Sequence, residues 1–132
     1  FRGLAASVRN DADESRRSLD RVPENAWLWK MRDTAASAAL VAAKHGLVDV
    51  GRRVRGPVES GRGHMVSYAS VAGYIGLPYD YIVGMLDVLD EKRDAARASF
   101  AAARAVAARS TAAGIRALLE RRLASLPDDV RP

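Results

Sequence analysis

The sequence contains no cysteine, few aromatic residues (6%) and only five prolines in 132 residues. Without cysteine, disulfide bridges, thiol nucleophiles and thiolate metal sites are excluded, although the redox compartment stays open. Long apolar runs are also missing, and the longest, residues 35–43, is far too short to cross a bilayer. We therefore expect one soluble domain, large enough to bury a core without metal or disulfide bonds.

Alanine, in contrast, is abundant, and β-branched runs are few, which favours an all-helical protein with close helix contacts. The apolar positions repeat at steps of three and four residues, as amphipathic helices require. We predict an antiparallel up-down-up-down four-helix bundle. Its parts are a less regular N-terminal arm at 1–22, helices at about 24–45, 47–75, 79–108 and 110–126 within a bundle of 23–127, and a tail at 128–132.

Turn residues separate these predicted helices. Gly46 stands where a left-handed cap ends the first helix and leads directly into the second. Pro78 begins the third helix, and Ser110 or Thr111 is the expected N-cap of the fourth. Without a break at Ser110–Thr111, the third and fourth helices would be one.

The second predicted helix is the most distinctive stretch, because Gly56 and Pro57 lie inside its apolar seam. Proline lacks an amide hydrogen and crowds the preceding turn, so a long helix must kink here. Four arginines surround the predicted kink: Arg52, Arg53, Arg55 and Arg62.

Basic residues are in excess, with 21 lysines and arginines against 16 aspartates and glutamates and a pI of about 10.1. This balance favours an anionic partner, which leaves nucleic acid, anionic lipid and acidic protein surfaces open. The four arginines fit docking, since a guanidinium binds carboxylates in bidentate fashion. They equally fit a solvated helix face on which Arg55 pairs with Glu59.

No residue pattern indicates catalysis. His45 and His64 are the only candidates for metal binding or proton transfer near neutral pH, and they lie on different predicted helices without a carboxylate at matching spacing. We predict no enzyme, no metal and no cofactor. Tyr74, Tyr79 and Tyr81 gather where the second and third helices meet, among apolar and acidic residues, which favours packing over nucleic-acid stacking.

One stretch resembles a known family. Val50-Gly51, Val54-Arg55-Gly56-Pro57-Val58, Arg62 and Met65 are similar to the core pattern of the PsbQ family. The order of elements is similar as well, including Leu89-Asp90 and Ala95-Ala96 in the third helix and a final Leu126-Pro127. The family comprises extrinsic four-helix-bundle subunits of photosystem II, also called oxygen-evolving enhancer protein 3, and this chain would be a divergent algal form.

The resemblance implies a non-catalytic role in photosynthesis. The chain would lie in the chloroplast thylakoid lumen, peripheral to the membrane, and dock on photosystem II core subunits and other extrinsic lumenal proteins. There it would stabilise the oxygen-evolving complex by retaining calcium and chloride without binding them itself. Arg52, Arg53, Arg55 and Arg62 would dock, and Gly56 and Pro57 would shape the helix. This hypothesis implies no nucleic acid, whereas the alternative is a basic helical nucleic-acid-binding or regulatory module.

Overall fold

The computed structural model describes residues 11–23, 31–66 and 76–132, and these ranges contain six α-helices and an isolated β-bridge. The all-α class is confirmed, whereas the four-helix bundle is not. The helices are α1 (Ala12–Asp20), α2 (Arg32–His45), α3 (Val48–Glu59), α4 (Tyr79–Leu89), α5 (Arg93–Ala108) and α6 (Ala113–Ala124). None of these six helices combines the length and the apolar character needed to span a membrane.

Helices that are apolar on more than one side lie at the centre of the fold. α2 is buried nearly all round, because residues 35–39 are consecutively buried and small. α4 is also buried on several sides and packs against α2, α3 and α5. α6 packs mainly on α5, and α1 lies on α2. The core is therefore centred on α2, α3 and α4, with α5 and α6 added in succession.

The first turn is the one that the sequence predicted. Gly46 has a left-handed backbone (φ 69°), and the amide of Leu47 donates to the carbonyl of Ala42 at 2.9 Å. Only two residues separate α2 from α3, so the two helices fold back on each other and pack closely.

The predicted second helix (47–75) is much shorter in the structure, since α3 ends at Glu59. The amide of Val66 donates to the carbonyl of Leu77 at 2.9 Å, so the chain around residue 65 pairs antiparallel with the chain around residue 78. A helix that continues beyond Glu59 is therefore wrong. Residues 67–75 of the prediction lie outside the described residues.

Gly56 and Pro57 consequently lie in the last turn of α3 and not at a kink in the middle of a long helix. Pro57 cannot donate a backbone hydrogen bond, which weakens the helix where it ends. The Ser60 hydroxyl donates to the Pro57 carbonyl at 2.6 Å, and Gly63 then adopts a left-handed backbone (φ 81°). These residues reverse the chain toward α4.

The predicted third helix (79–108) is two helices, α4 and α5, joined at Glu91. The amide of Glu91 donates to Val88 at 3.0 Å and that of Lys92 donates to Asp87 at 2.8 Å. This pair of bonds is a Schellman motif, in which the left-handed position is usually glycine. Here Glu91 occupies it with φ 60°. The prediction of one helix was wrong because the turn contains neither glycine nor proline.

Glu91→Gly is expected to stabilise the protein by about 1 kcal/mol, since glycine adopts a left-handed backbone without the Cβ clash. Glu91→Ala removes the same charge but keeps the clash, so it serves as the matched control. Urea unfolding followed by circular dichroism measures both. Equal changes for the two variants would show that charge, and not backbone conformation, is responsible.

The close contact between α4 and α5 depends on a glycine, Gly84 of α4. A Cβ atom on Gly84 would lie 2.5 Å from Cε1 of Phe100, which is closer than side chains pack. Phe100 is fully buried, and its ring centroid lies 5.7 Å from that of Tyr81. The two helices can approach this closely because Gly84 has no side chain.

The break between α5 and α6 lies where the sequence placed it, although the cap residue differs. α5 ends at Ala108, α6 begins at Ala113, and Ala112 is the N-cap without a side-chain hydrogen bond. Ser110, one of the two predicted caps, accepts from the amide of Ala112 at 3.2 Å within the turn.

Both described ends of the chain pack on the core. α1 buries Leu19, and the Arg16 guanidinium binds both Asp49 carboxylate oxygens at 2.8 Å. The hydrogen bond from Arg16 lowers the pKa of the Asp49 carboxyl, so this exposed pair is ionised at neutral pH. In the predicted C-terminal tail, Val130 is buried and Arg131 donates to the carbonyl of Leu126.

Candidate docking surface

Arg55, one of the four predicted docking residues, is held inside the fold. Its Nη1 lies 2.8 Å from Asp87 Oδ1 and 3.1 Å from Glu59 Oε1, and its Nη2 lies 3.0 Å from Asp90 Oδ2. The Asp87 side chain is 4% exposed and that of Arg55 is 19% exposed. A guanidinium that is largely removed from water is stable only while it stays paired with its carboxylate partners. Arg55 therefore fastens α3 to α4.

Arg62 extends the same set of contacts to α5. Its Nη1 lies 3.2 Å from Asp80 Oδ1, and its Nη2 donates to Ser99 Oγ at 3.1 Å. Ser99 in turn donates to Asp87 Oδ2 at 3.2 Å, and the amide of Gly63 donates to Asp80 Oδ2 at 2.7 Å. We call the whole set the interhelical polar network: Arg55, Glu59, Arg62, Gly63, Asp80, Asp87, Asp90 and Ser99.

The network keeps its charge. Burial by itself lowers the pKa of the Arg55 guanidinium, but its hydrogen bonds to Asp87 and Glu59 outweigh burial and raise that pKa above its ordinary value. Arg55 is therefore cationic at neutral pH. The positive charge of Arg55 is balanced internally, by carboxylates of its own helix and of α4.

Arg52 and Arg53 differ from Arg55 because both are exposed on α3. The Arg52 side chain is 73% exposed, and its Nε lies 3.6 Å from an oxygen of Asp90. Beside them, Gly56 is exposed with open space where a Cβ would lie, and Pro57 is half-buried. Arg52 and Arg53 are thus exposed on α3, whereas the Arg55 side chain is only 19% exposed. Arg62 binds α4 and α5 although its side chain is 42% exposed.

The excess positive charge of the chain lies elsewhere. Residues 1–91 contain twelve lysines and arginines and twelve aspartates and glutamates. Residues 92–132 contain nine of the former and four of the latter, so the whole net charge of +5 belongs to this segment. It comprises α5, α6 and the C-terminal residues, which we call the α5–α6 face. Counting acids along the sequence would have found this face, whereas the arginine cluster at residue 55 obscured it.

Arginines of the α5–α6 face are arranged along its surface with only some of their charge neutralised. Arg104 binds Glu120 through Nε at 2.8 Å, and Arg93 binds Asp129 at 2.9 Å. Both pairs are largely exposed, and exposed pairs contribute little to stability. Lys92 and Arg121 are exposed as well. These exposed side chains can therefore reach carboxylates or phosphates of another molecule without loss of a buried contact.

The two histidines lie on different elements, His45 at the end of α2 and His64 in the turn after α3. His45 is half-buried at the end of α2, and His64 is exposed with its Nδ1 3.1 Å from the carbonyl oxygen of Arg62. Within residues 11–23, 31–66 and 76–132, no three His, Cys, Asp or Glu side chains are close enough together to hold a metal ion.

The interpretation of the tyrosines as packing residues is confirmed for two of them. Tyr79 and Tyr81 are each 4% exposed, and the Tyr79 hydroxyl donates to the carboxylate of Asp33. Tyr68 and Tyr74, together with Trp27 and Trp29, lie outside the described residues.

Comparison with known proteins gives no relative on which to base an assignment. No protein-family model matches the chain, and no curated protein or solved structure is significantly similar to it.

Proposed function

We propose that this chain is a non-catalytic docking module that binds an acidic protein surface through its α5–α6 face. The observation that carries the proposal is the location of the net charge: all five excess positive charges belong to residues 92–132. Arginine-rich exposed helices bind carboxylates by charge-assisted, often bidentate hydrogen bonds. Arg52 and Arg53 of α3 supply a second exposed basic site.

The partner that we propose is the lumenal face of photosystem II, as the resemblance of Val54–Val58 to the PsbQ family implies. In that role the chain is an extrinsic subunit at the thylakoid lumen that stabilises the oxygen-evolving complex. The support is the Gly56-Pro57 pattern in the sequence together with the basic α5–α6 face.

The test is rebinding to salt-washed photosystem II membranes. We expect the double variant Lys92→Glu with Arg121→Glu to lose at least about tenfold in affinity, because it reverses two exposed charges of the binding face. Arg17→Glu with Arg21→Glu is the matched control: both residues are exposed on or beside α1, and the net charge changes equally. Arg55→Glu is unsuitable, since it places a third carboxylate beside Asp87 and Asp90.

The result also separates the proposed partner from nucleic acid. Equal loss for both double variants on the membranes, or no specific rebinding of the unmodified chain, would contradict docking on photosystem II. A gel shift with duplex DNA, repeated over a range of salt concentrations, tests the alternative. Tight binding whose affinity falls steeply with salt would assign the α5–α6 face to phosphates instead.

A further inference from the structure

A groove lies between the turn that follows α3 and the turn that joins α5 to α6. Its volume is about 440 Å³. It is lined by Gly63, His64, Met65, Val106, Arg109, Ser110 and Thr111. The interhelical polar network does not use the side chains of these residues, and neither Lys92 nor Arg121, which test docking, lines the groove.

The groove is lined by side chains that carry hydrogen-bond donors, among them Arg109, Ser110 and Thr111. Arg109 Nη2 donates to the carbonyl of Gly63 at 3.2 Å, which holds the guanidinium across the groove and leaves its other N–H groups for a ligand. The Ser110 oxygen accepts from the amide of Ala112, so its hydroxyl hydrogen is available to donate. Thr111 adds a second, exposed hydroxyl.

The chain on both sides of the groove is free of acidic residues. Neither residues 60–79 nor residues 95–119 contain an aspartate or a glutamate. Asp80, the next acidic residue, is buried and bound to Arg62 and to the amide of Gly63. Arg116 donates to the carbonyl of Ser110 and adds a positive charge beside the same turn. An anion in the groove would therefore meet donors and positive charge, and the nearby Asp80 carboxylate is already bound to Arg62 and to the amide of Gly63.

We propose that this groove binds a phosphate monoester group. A guanidinium and two neighbouring hydroxyls can each be satisfied by a different oxygen of a tetrahedral phosphate, whereas a carboxylate has only two oxygens to offer. The groove has room for the phosphate together with part of the group that carries it. Phosphate binding here goes beyond the proposed docking and is tested at Arg109, which the docking variants leave unchanged.

The test is a titration of the intact chain with inorganic phosphate at constant ionic strength, followed by ¹H–¹⁵N nuclear magnetic resonance. We expect saturable shifts centred on Gly63, Ser110 and Thr111. Arg109→Gln is expected to weaken binding about tenfold, as loss of one charge-assisted hydrogen bond predicts. Thr111→Val, at an exposed position, is expected to weaken binding less while leaving the fold intact.

Arg121→Gln is the matched control, since it removes the same charge from an exposed position of α6 that does not line the groove. Phosphoserine and glycerol phosphate are titrated in the same way. Tighter binding of phosphoserine than of the other two would identify a phosphoprotein ligand, and equal binding would identify the free phosphate group. Shifts that do not saturate, or equal weakening by Arg109→Gln and Arg121→Gln, would overturn the proposal. Docking is tested separately, by the Lys92 and Arg121 double variant.

Discussion

Replacement of Asp87 by alanine is expected to lower the free energy of unfolding by about 3 kcal/mol. The carboxylate is 4% exposed and accepts from both Arg55 and Ser99. Its loss leaves a largely buried guanidinium with Asp90 and Glu59 as its remaining carboxylate partners. These partners keep the cost at the lower end of the range for a broken buried ion pair. Urea unfolding, followed by circular dichroism at 222 nm, measures the change.

Asp94→Ala is the matched control, because Asp94 also lies near the joint of α4 and α5 but is 98% exposed. We expect it to change the free energy of unfolding by less than about 0.5 kcal/mol. Asp87→Asn keeps the shape of the side chain and removes the charge, so it separates packing from electrostatics. A change below 1 kcal/mol for Asp87→Ala would show that the interhelical polar network does not hold α3, α4 and α5 together.

Phe100→Ala is expected to cost about 4 kcal/mol. The ring is fully buried and contacts Gly84 and Tyr81, which are one turn apart on α4, so its loss leaves a cavity at the contact of α4 and α5. Thermal and urea unfolding of the variant measure the loss. Phe100→Leu retains most of the apolar volume and is expected to cost clearly less.

Gly84→Ala tests the same contact from the other side. We expect a loss of about 1–3 kcal/mol, because the new methyl group would overlap the Phe100 ring. Combined with Phe100→Leu, the cost is expected to be less than the sum of the two single costs, since the smaller side chain makes room. Gly114→Ala is the control, since a Cβ there meets nothing within 4 Å. Strict additivity of Gly84→Ala and Phe100→Leu would contradict the close approach of α4 and α5.

Local signals in the sequence predicted much of the helical organisation. The left-handed turn at Gly46 and the break after Ala108 follow from residues whose own conformational preferences favour a helix end. The burial of Tyr79 and Tyr81 follows from their apolar neighbours. These features depend on interactions within a few residues, which is the range over which a single sequence is informative.

Of the two helix ends that were missed, one is followed by a contact beyond that range and the other is a local turn without its usual glycine. α3 stops at Glu59, and beyond it Met65 pairs with Pro78, which is thirteen residues later in the sequence. α4 stops at Leu89 because Glu91 accepts a left-handed backbone that few non-glycine residues adopt. The three- and four-residue spacing of apolar residues continues past the ends of both α3 and α4, so this spacing could not reveal either helix end.

The arginine cluster illustrates the same limit for the site. Helical spacing showed that Arg55 could pair with Glu59, and the structure contains that pair at 3.1 Å. It could not show Asp87 and Asp90, which are more than thirty residues away in sequence and reach Arg55 only after α3 and α4 pack. An arginine that pairs with carboxylates inside the fold and an arginine that binds a partner can have the same spacing in a single sequence.

The location of the binding charge can be measured without a known partner, by the salt concentration at which the protein elutes from a cation exchanger. Lys92→Glu with Arg121→Glu and Arg17→Glu with Arg21→Glu reduce the net charge equally, and circular dichroism checks that both variants are folded. We predict that the first double variant elutes at clearly lower salt, because the protein adsorbs through its α5–α6 face. Equal elution of the two variants, or earlier elution of the Arg17 and Arg21 variant, would contradict this location.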